Sequence, residues 1–224
     1  MSVILKALAE FVLYAVLAAF AQNAVLSRAL GVSHLVRLVD DGATGNGAFC
    51  LLLTVVQVVA VPLCWGANQL LTPFAYRSAV RPLVFLLITT AACGLVWLVY
   101  WLALGKKQSD DAHKEMGALL ATASFNSCVL GTMLIVTTQS LTLPQAIGFV
   151  LGSGVGYYLA VVLVAEGQRR LRNRRIPMSF RGLPITLLYL GMLALAIYGF
   201  TGHPLLFCRA AAAPSKNIVC RLCT

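Results

Sequence analysis

The chain has 224 residues, of which 60% are hydrophobic and only 11% are charged, with a formal net charge of +10. A soluble domain has about 25% charged and 45–50% apolar residues. So much apolar surface cannot be hidden in a core of this size, and the mean hydropathy of +0.87 agrees. The composition excludes a cytosolic enzyme, a disordered chain and a disulfide-rich secreted module. It predicts an integral membrane protein that is surrounded by lipid.

Six segments are long and apolar enough to span a bilayer, which needs about 20 residues per helix. The first runs from Val3 to Phe20 and continues uncharged to Ser27. The others are Ala48–Leu71, Leu83–Leu104, Met116–Val136, Gln145–Ala165 and Leu183–Phe200. The sequence therefore predicts an all-α, polytopic membrane fold. It also predicts that residues 1–202 form a single six-helix domain and that residues 203–224 form a flexible C-terminal tail.

The first segment has an alternative interpretation as a signal peptide. Lys6, an apolar run and the small residues around Phe20 are typical of one. Glu10 disrupts the basic flank, and the apolar run continues past the cleavage site, so we favour a retained span.

Basic residues are distributed unequally between the two sets of loops. The loops after the first, third and fifth spans carry Arg28, Arg37, Lys106, Lys107, Lys114, Arg169, Arg170, Arg172, Arg174, Arg175 and Arg181. The other side carries Lys6, Arg77, Arg81, Arg209, Lys216 and Arg221. The positive-inside rule places the first set in the cytoplasm and both termini outside. The arginine cluster after the fifth span is thus a topology signal, and we expect no nucleic-acid partner.

Two apolar segments share a polar motif. Gln22-Asn23-Ala24-Val25-Leu26 resembles Asn126-Ser127-Cys128-Val129-Leu130, and each motif opens a set of three spans. Because three is odd, the second set enters the membrane the opposite way round, as in an inverted-topology repeat. The halves are residues 1–104 and 116–202, with the first and fourth helices interrupted.

Asn23, Ser27 and Asn126 are the polar side chains of these interruptions. Such groups inside a bilayer are costly unless they are paired or line a cavity. One interpretation is that they hydrogen-bond neighbouring helices and only hold the bundle together. Two matching interruptions favour the other, a shared functional site at the interface between the repeats.

The fifth span carries Gly148, Gly152 and Gly156 at intervals of four residues. Small residues at this spacing allow a second helix to approach closely. We predict that they pack within the bundle rather than form a dimer face.

Three stretches resemble the six-helix membrane subunits of the Rnf and Nqr ion-translocating redox complexes. Asn23 to Gly31 is similar to the first-helix motif of that family, and Asn126 to Gly131 is similar to its fourth-helix motif. The third is Ile176 to Ile185, whose characteristic residues are Pro177, Phe180, Arg181 and Gly182. With a last span that ends in Gly-Phe-Thr-Gly, the similarity covers residues 3–202.

The resemblance implies a pair of homologous six-helix subunits with opposite topology, within a larger complex of the bacterial inner membrane. Each subunit of such a pair supplies two cysteines, one per interrupted helix, to a shared [2Fe-2S] cluster. Electrons cross the bilayer through the cluster, coupled to movement of sodium ions or protons. No catalysis is expected from one isolated chain.

This sequence departs from the family at the cluster positions. Ser33 and Ser127 stand where the resemblance implies cysteines, and Cys128 follows one position later. A shift of one residue turns a helical side chain by about 100°. Cys128 is the candidate metal ligand at this position, although its other interpretation is a small buried apolar residue.

Two hypotheses about function remain. The chain is an integral membrane subunit of an Rnf/Nqr-like electron-transfer complex that couples redox chemistry to sodium-ion or proton translocation. Alternatively, it is a divergent paralogue without a cluster, which acts as a stand-alone transporter or as a membrane scaffold.

Overall fold

The computed structural model describes residues 2–40, 46–71, 77–104, 110–171 and 183–201, which form helices and connecting turns and contain no strand. The helices are α1 (Ser2–Ala19), α2 (Val32–Asp40), α3 (Asn46–Leu71), α4 (Arg77–Leu104), α5 (Asp110–Ser124), α6 (Ser127–Thr138), α7 (Leu143–Leu171) and α8 (Leu183–Thr201). The predicted all-α class is confirmed for this part of the chain. Pro177, Phe180, Arg181, Gly182 and the predicted tail lie outside the described residues.

Three helices are each long and apolar enough to cross a membrane: Gly47–Leu71, Ala79–Leu102 and Leu143–Arg170. A fourth span results if His113–Ser124 and Ser127–Thr138 are counted as one segment, bent by 42°. Leu183–Gly199 is a shorter apolar helix. The predicted total of six spans therefore stays a prediction.

Large apolar side chains cover the outside of the bundle. Leu87, Trp101 and Leu102 of α4 are exposed, as are Leu188 and Leu195 of α8. A water-soluble monomer rarely exposes apolar patches of this extent, because they cost free energy in water. These surfaces fit hydrocarbon as the surrounding solvent.

Helix α1 packs along α7 over most of its length, and the two helices run parallel. Gly148 faces the backbone of Phe11, Gly152 that of Ala15, and Gly156 that of Ala19. A Cβ atom added to Gly156 would lie 3.0 Å from the Ala19 carbonyl oxygen. The glycines allow this approach because they have no side chain, so the ladder lies between two helices of one chain.

Helices α3 and α6 both run antiparallel to α7. Thr54 of α3 contacts Gly154, and Phe49 lies 6.2 Å from Tyr157 between ring centroids. A short turn connects α6 to α7, and Pro144 lies in the first turn of α7, where proline is well tolerated. Helix α7 therefore has α1, α3 and α6 as neighbours and forms the centre of the bundle.

Helix α1 ends part-way along α7 rather than at its far end. Ala19 lies level with Gly156, which is 13 residues from Leu143, the first residue of α7. At about 1.5 Å per residue, the end of α1 is about 20 Å along α7. Helix α1 therefore ends in the interior of the bundle.

The contact between α1 and α7 yields a stability prediction. Replacing Gly152 with alanine places a methyl group against the Ala15 carbonyl, and overpacking of this kind costs about 1–3 kcal/mol. The Gly152→Ala protein should therefore unfold at a lower temperature than the wild type in a detergent melting assay. Gly94 of α4 has nothing within 4 Å, so Gly94→Ala is the matched control and should not lower the melting temperature. Equal melting temperatures for the two variants would contradict the close packing.

Candidate broken-helix site

The first break occupies residues 20–31, between α1 and α2, and is organised by Asn23. The Asn23 Oδ1 atom accepts hydrogen bonds from the backbone N–H groups of Val25 (3.0 Å) and Leu26 (3.3 Å). Its Nδ2 donates to the Ala19 carbonyl at 3.2 Å and to the Gly156 carbonyl at 2.9 Å. One carboxamide thus satisfies backbone groups on both sides of the break and ties the break to α7.

Glycine is required at the end of this break. Gly31 has a φ of 76°, a conformation that residues with a side chain rarely adopt. An added Cβ atom would lie 2.8 Å from Asn126 Oδ1 and 2.9 Å from a ring carbon of Tyr157. Gly31 therefore brings the first break into contact with the second break and with α7.

The second break separates α5 from α6 at Phe125 and Asn126. Asn126 is fully buried and has an extended backbone (φ −73°, ψ 136°), and it forms the N-cap of α6. Its Oδ1 accepts a hydrogen bond from the Cys128 N–H at 3.0 Å. Asparagine is among the preferred N-cap residues because its oxygen satisfies a backbone donor that the helix leaves open. This cap makes the break stable inside an apolar environment.

The hydroxyl of Tyr157 connects the two breaks. It accepts a hydrogen bond from Asn126 Nδ2 and donates one to the Gly31 carbonyl, both at 3.3 Å. The Gly31 N–H donates to Ser127 Oγ at 2.8 Å. Together these hydrogen bonds form a circuit that joins the two breaks through Tyr157. We call Asn23, Gly31, Asn126, Ser127 and Tyr157 the broken-helix site.

The polar residues predicted for the breaks are Asn23, Ser27 and Asn126. The structure brings Asn23 and Asn126 to adjacent residues of α7, and both side chains are buried and hydrogen-bonded. The Ser27 hydroxyl donates to the Asn23 carbonyl at 2.6 Å, and its side chain is exposed. Tyr157 was not singled out, because one tyrosine in an apolar span carries no signal of its distant partners.

Ser33 and Ser127 lie at the surface, whereas Cys128 does not. Ser33 is an exposed residue of the first turn of α2, and Ser127 is the exposed first residue of α6. Cys128 has no exposed surface, and its Sγ accepts a hydrogen bond from Gln57 Nε2 at 3.7 Å. The thiol and the two hydroxyls therefore face different surroundings.

These residues do not fit an iron–sulfur cluster. Iron–sulfur clusters are held by thiolates. The exposed side chains at the two predicted cluster positions, Ser33 and Ser127, carry hydroxyls instead. Cys128 points into the bundle toward α3. Within the described ranges, no group of three or more His, Cys, Asp or Glu side chains is arranged to hold a metal ion.

A second set of polar side chains lies inside the bundle, between α3, α6 and α7. Gln57 Nε2 donates to Thr132 Oγ1 at 3.2 Å, and Ser153 lies beside the Cys128 thiol. Gln57 Oε1 and Ser153 Oγ are buried and have no hydrogen-bond partner among the described residues. This set was not predicted from the sequence, although a glutamine inside an apolar span is a signal for it.

The circuit through Tyr157 predicts energetic coupling between the two breaks. Asn126→Ala removes the cap and should lower the free energy of unfolding by about 1–3 kcal/mol. Tyr157→Phe removes one hydroxyl from the same circuit. The double variant should therefore lose less free energy of unfolding than the two single variants added together, with a coupling energy of about 0.5–3 kcal/mol. Denaturant unfolding of the four proteins in detergent measures this coupling.

Thr90 provides the control for this comparison of single and double variants. Its side chain is exposed on α4 and donates only to the Leu86 carbonyl of its own helix. Asn126→Ala and Thr90→Val share no partner, so their effects should add within about 0.5 kcal/mol. Strict additivity of Asn126→Ala with Tyr157→Phe would contradict a common circuit.

The unpaired oxygen of Gln57 yields a further prediction. A buried acceptor without a partner costs about 1–3 kcal/mol, so Gln57→Leu, with similar volume, should leave thermal stability unchanged or raise it. Gln57→Ala is the control, because it leaves a cavity and should cost about 2–5 kcal/mol. If melting curves show the leucine variant to be as unstable as the alanine variant, the amide is fully satisfied in the protein.

Comparison with known proteins places most of the chain in one family. The model of the family described as "Rnf-Nqr subunit, membrane protein" matches residues 11–203. The RnfA protein of the ion-translocating oxidoreductase complex of Syntrophotalea carbinolica is 32% identical over 186 residues, covering 83% of this chain and 93% of that protein. The protein of the same name from Rhodobacter capsulatus is 30% identical and covers 86% and 97%.

A third relative has a more specific name. It is the corresponding component of the Na(+)-translocating ferredoxin:NAD(+) oxidoreductase complex of Acetobacterium woodii, and it is 29% identical over 188 residues. The match covers 84% of this chain and 95% of that protein. The resemblance predicted from the motifs is confirmed, and the chain belongs to the Rnf-Nqr family of membrane subunits.

Proposed function

We propose that this chain is an integral membrane subunit of an ion-translocating electron-transfer complex. The observation that carries the proposal is the similarity to the RnfA proteins of such complexes, which extends over 83% of this chain and 93% of the relative from Syntrophotalea carbinolica. The oxidoreductase activity belongs to the assembly, and this chain supplies part of its membrane core.

The helix directions support an inverted repeat within that core. Helix α1 runs parallel to α7 and α6 runs antiparallel to it, so the two interrupted segments point in opposite directions. Helices α3 and α7, each the second helix after its break, also run antiparallel. In both breaks an asparagine accepts from the N–H two residues further on, Val25 in one and Cys128 in the other. Equivalent asparagine hydrogen bonds on oppositely directed segments are what such a repeat requires.

The chain's charges support an orientation in a bacterial inner membrane. Helix α7 ends in Arg169 and Arg170, which suit both a helix C-terminus and the cytoplasmic surface. Glu10 of α1 accepts a hydrogen bond from Gln145 Nε2 at 3.1 Å, near the opposite end of α7. With the end of α7 in the cytoplasm, the start of α1 lies outside, and six spans return the C-terminus to the same side.

The coupling ion is sodium or a proton. The fully buried polar side chains of the described core are neutral amides and hydroxyls, including Asn23, Gln57 and Asn126. Oxygen atoms of this kind suit a sodium ion, whereas proton relays use ionisable groups. Because the breaks line the centre of the bundle, we place the ion path beside them.

Purification of the intact assembly tests this proposal. A chain with a C-terminal tag, extracted from its own membrane in mild detergent, should carry flavin-bearing subunits and a homologous six-helix partner in fixed proportion. Mass spectrometry and flavin absorption measure both, and an unrelated tagged membrane protein at equal expression is the control. Recovery of a monodisperse chain without these partners would contradict the proposal.

A second candidate function is favoured by Ser33 and Ser127, which stand at cluster positions without thiols. In that case the chain is a paralogue that transports ions without electron transfer, or a scaffold for another membrane complex. Sodium uptake by vesicles that contain only the purified chain supports the transporter. No uptake and no redox partners support the scaffold.

A further inference from the structure

We infer that Ser33 and Ser127 together form a cluster-ligand face that has lost its ligands, and that this chain carries no iron–sulfur cluster. The test uses the assembly named in the proposed function, and only in this respect does the inference rest on that function. It goes beyond that function because it removes this subunit from the electron path. Electrons that cross the membrane do so through groups held by other subunits.

Ser33 and Ser127 lie on either side of a contact between the two interrupted segments. The Gly31 N–H donates to Ser127 Oγ at 2.8 Å, so the start of α6 is held against the residues that lead into α2. Ser33 follows two residues after Gly31, and the side chains of Ser33 and Ser127 are both exposed. The helices that follow the two breaks thus each present one exposed serine near their first residue, where a partner subunit can reach it.

The chemistry of a ligand pair is absent. A serine hydroxyl is a hard oxygen donor that remains protonated near neutral pH, whereas iron–sulfur clusters are bound by soft thiolates. A homologous partner that supplies two cysteines would therefore complete only half of a ligand set. Two thiolates and two alcohols do not retain a cluster of this kind.

Cys128 cannot replace the missing ligands unless the hydrogen bonds of the broken-helix site are broken. Its own N–H is held by Asn126 Oδ1 at 3.0 Å, and its thiol is held by Gln57 on α3. Turning α6 by one residue to expose the thiol would rotate it by about 100°. That rotation would break the cap and the Gly31–Ser127 hydrogen bond.

The experiment compares metal content in the purified assembly. Iron and acid-labile sulfide per chain, with the visible absorption spectrum, are measured for the wild type, Ser33→Ala/Ser127→Ala, Cys128→Ala and Ser33→Cys/Ser127→Cys. The alanine variants should contain the same iron as the wild type. The double cysteine variant, reconstituted with ferrous iron and sulfide, should gain about two irons per chain and a thiolate-to-iron absorption band.

Three outcomes would overturn the inference: loss of iron in the serine-to-alanine variant, loss of iron in Cys128→Ala, or no gain in the double cysteine variant. Ser33→Ala alone serves if the double alanine variant does not fold, since the hydrogen bond between the two segments is accepted by Ser127 and not by Ser33. Partner recovery is scored on the same preparations. Absence of partners contradicts the proposed function, whereas iron that is present in the isolated chain and lost in its alanine variant would overturn this inference alone.

Discussion

The hydrogen bonds that two asparagines make to α7 are the interactions on which the rest of this structure depends. Breaking a helix inside lipid leaves backbone N–H and C=O groups that water cannot reach, and each costs several kcal/mol if it stays unpaired. Asn23 and Asn126 each satisfy backbone groups of their own break and donate to adjacent residues of α7. The breaks are therefore fixed features of the native bundle rather than local distortions.

The glycines and the tyrosine of α7 determine where those breaks meet. Gly148, Gly152 and Gly156 bring α1 close enough for Asn23 to reach the Gly156 carbonyl. Tyr157, the next residue, reaches both Asn126 and Gly31. Helix packing and the polar site are thus one arrangement, since α7 presents its small residues to α1 and its hydroxyl to the breaks. The same arrangement directs Ser127 outward and Cys128 inward.

Sequence alone predicted the helical membrane class, the two interruptions and their asparagines, because amides within apolar runs are costly and must be paired. It did not predict the partners. Tyr157 lies 126 residues from Gly31 in the chain, and Gln57 lies 75 residues from Thr132, so their contacts depend on tertiary packing. The length of the first break could not be predicted from the sequence either, because it depends on the positive φ of Gly31. The exposure of Ser127 and the burial of Cys128 required the register of α6, which its N-cap sets.

A density map of the chain in its native assembly, held in lipid, would show both breaks. Helical density should stop after Ala19 and again at Asn126. Both carboxamides should contact α7, at Gly156 and Tyr157. Continuous, straight helical density through residues 116–136, with Asn126 facing lipid or solvent, would contradict this arrangement.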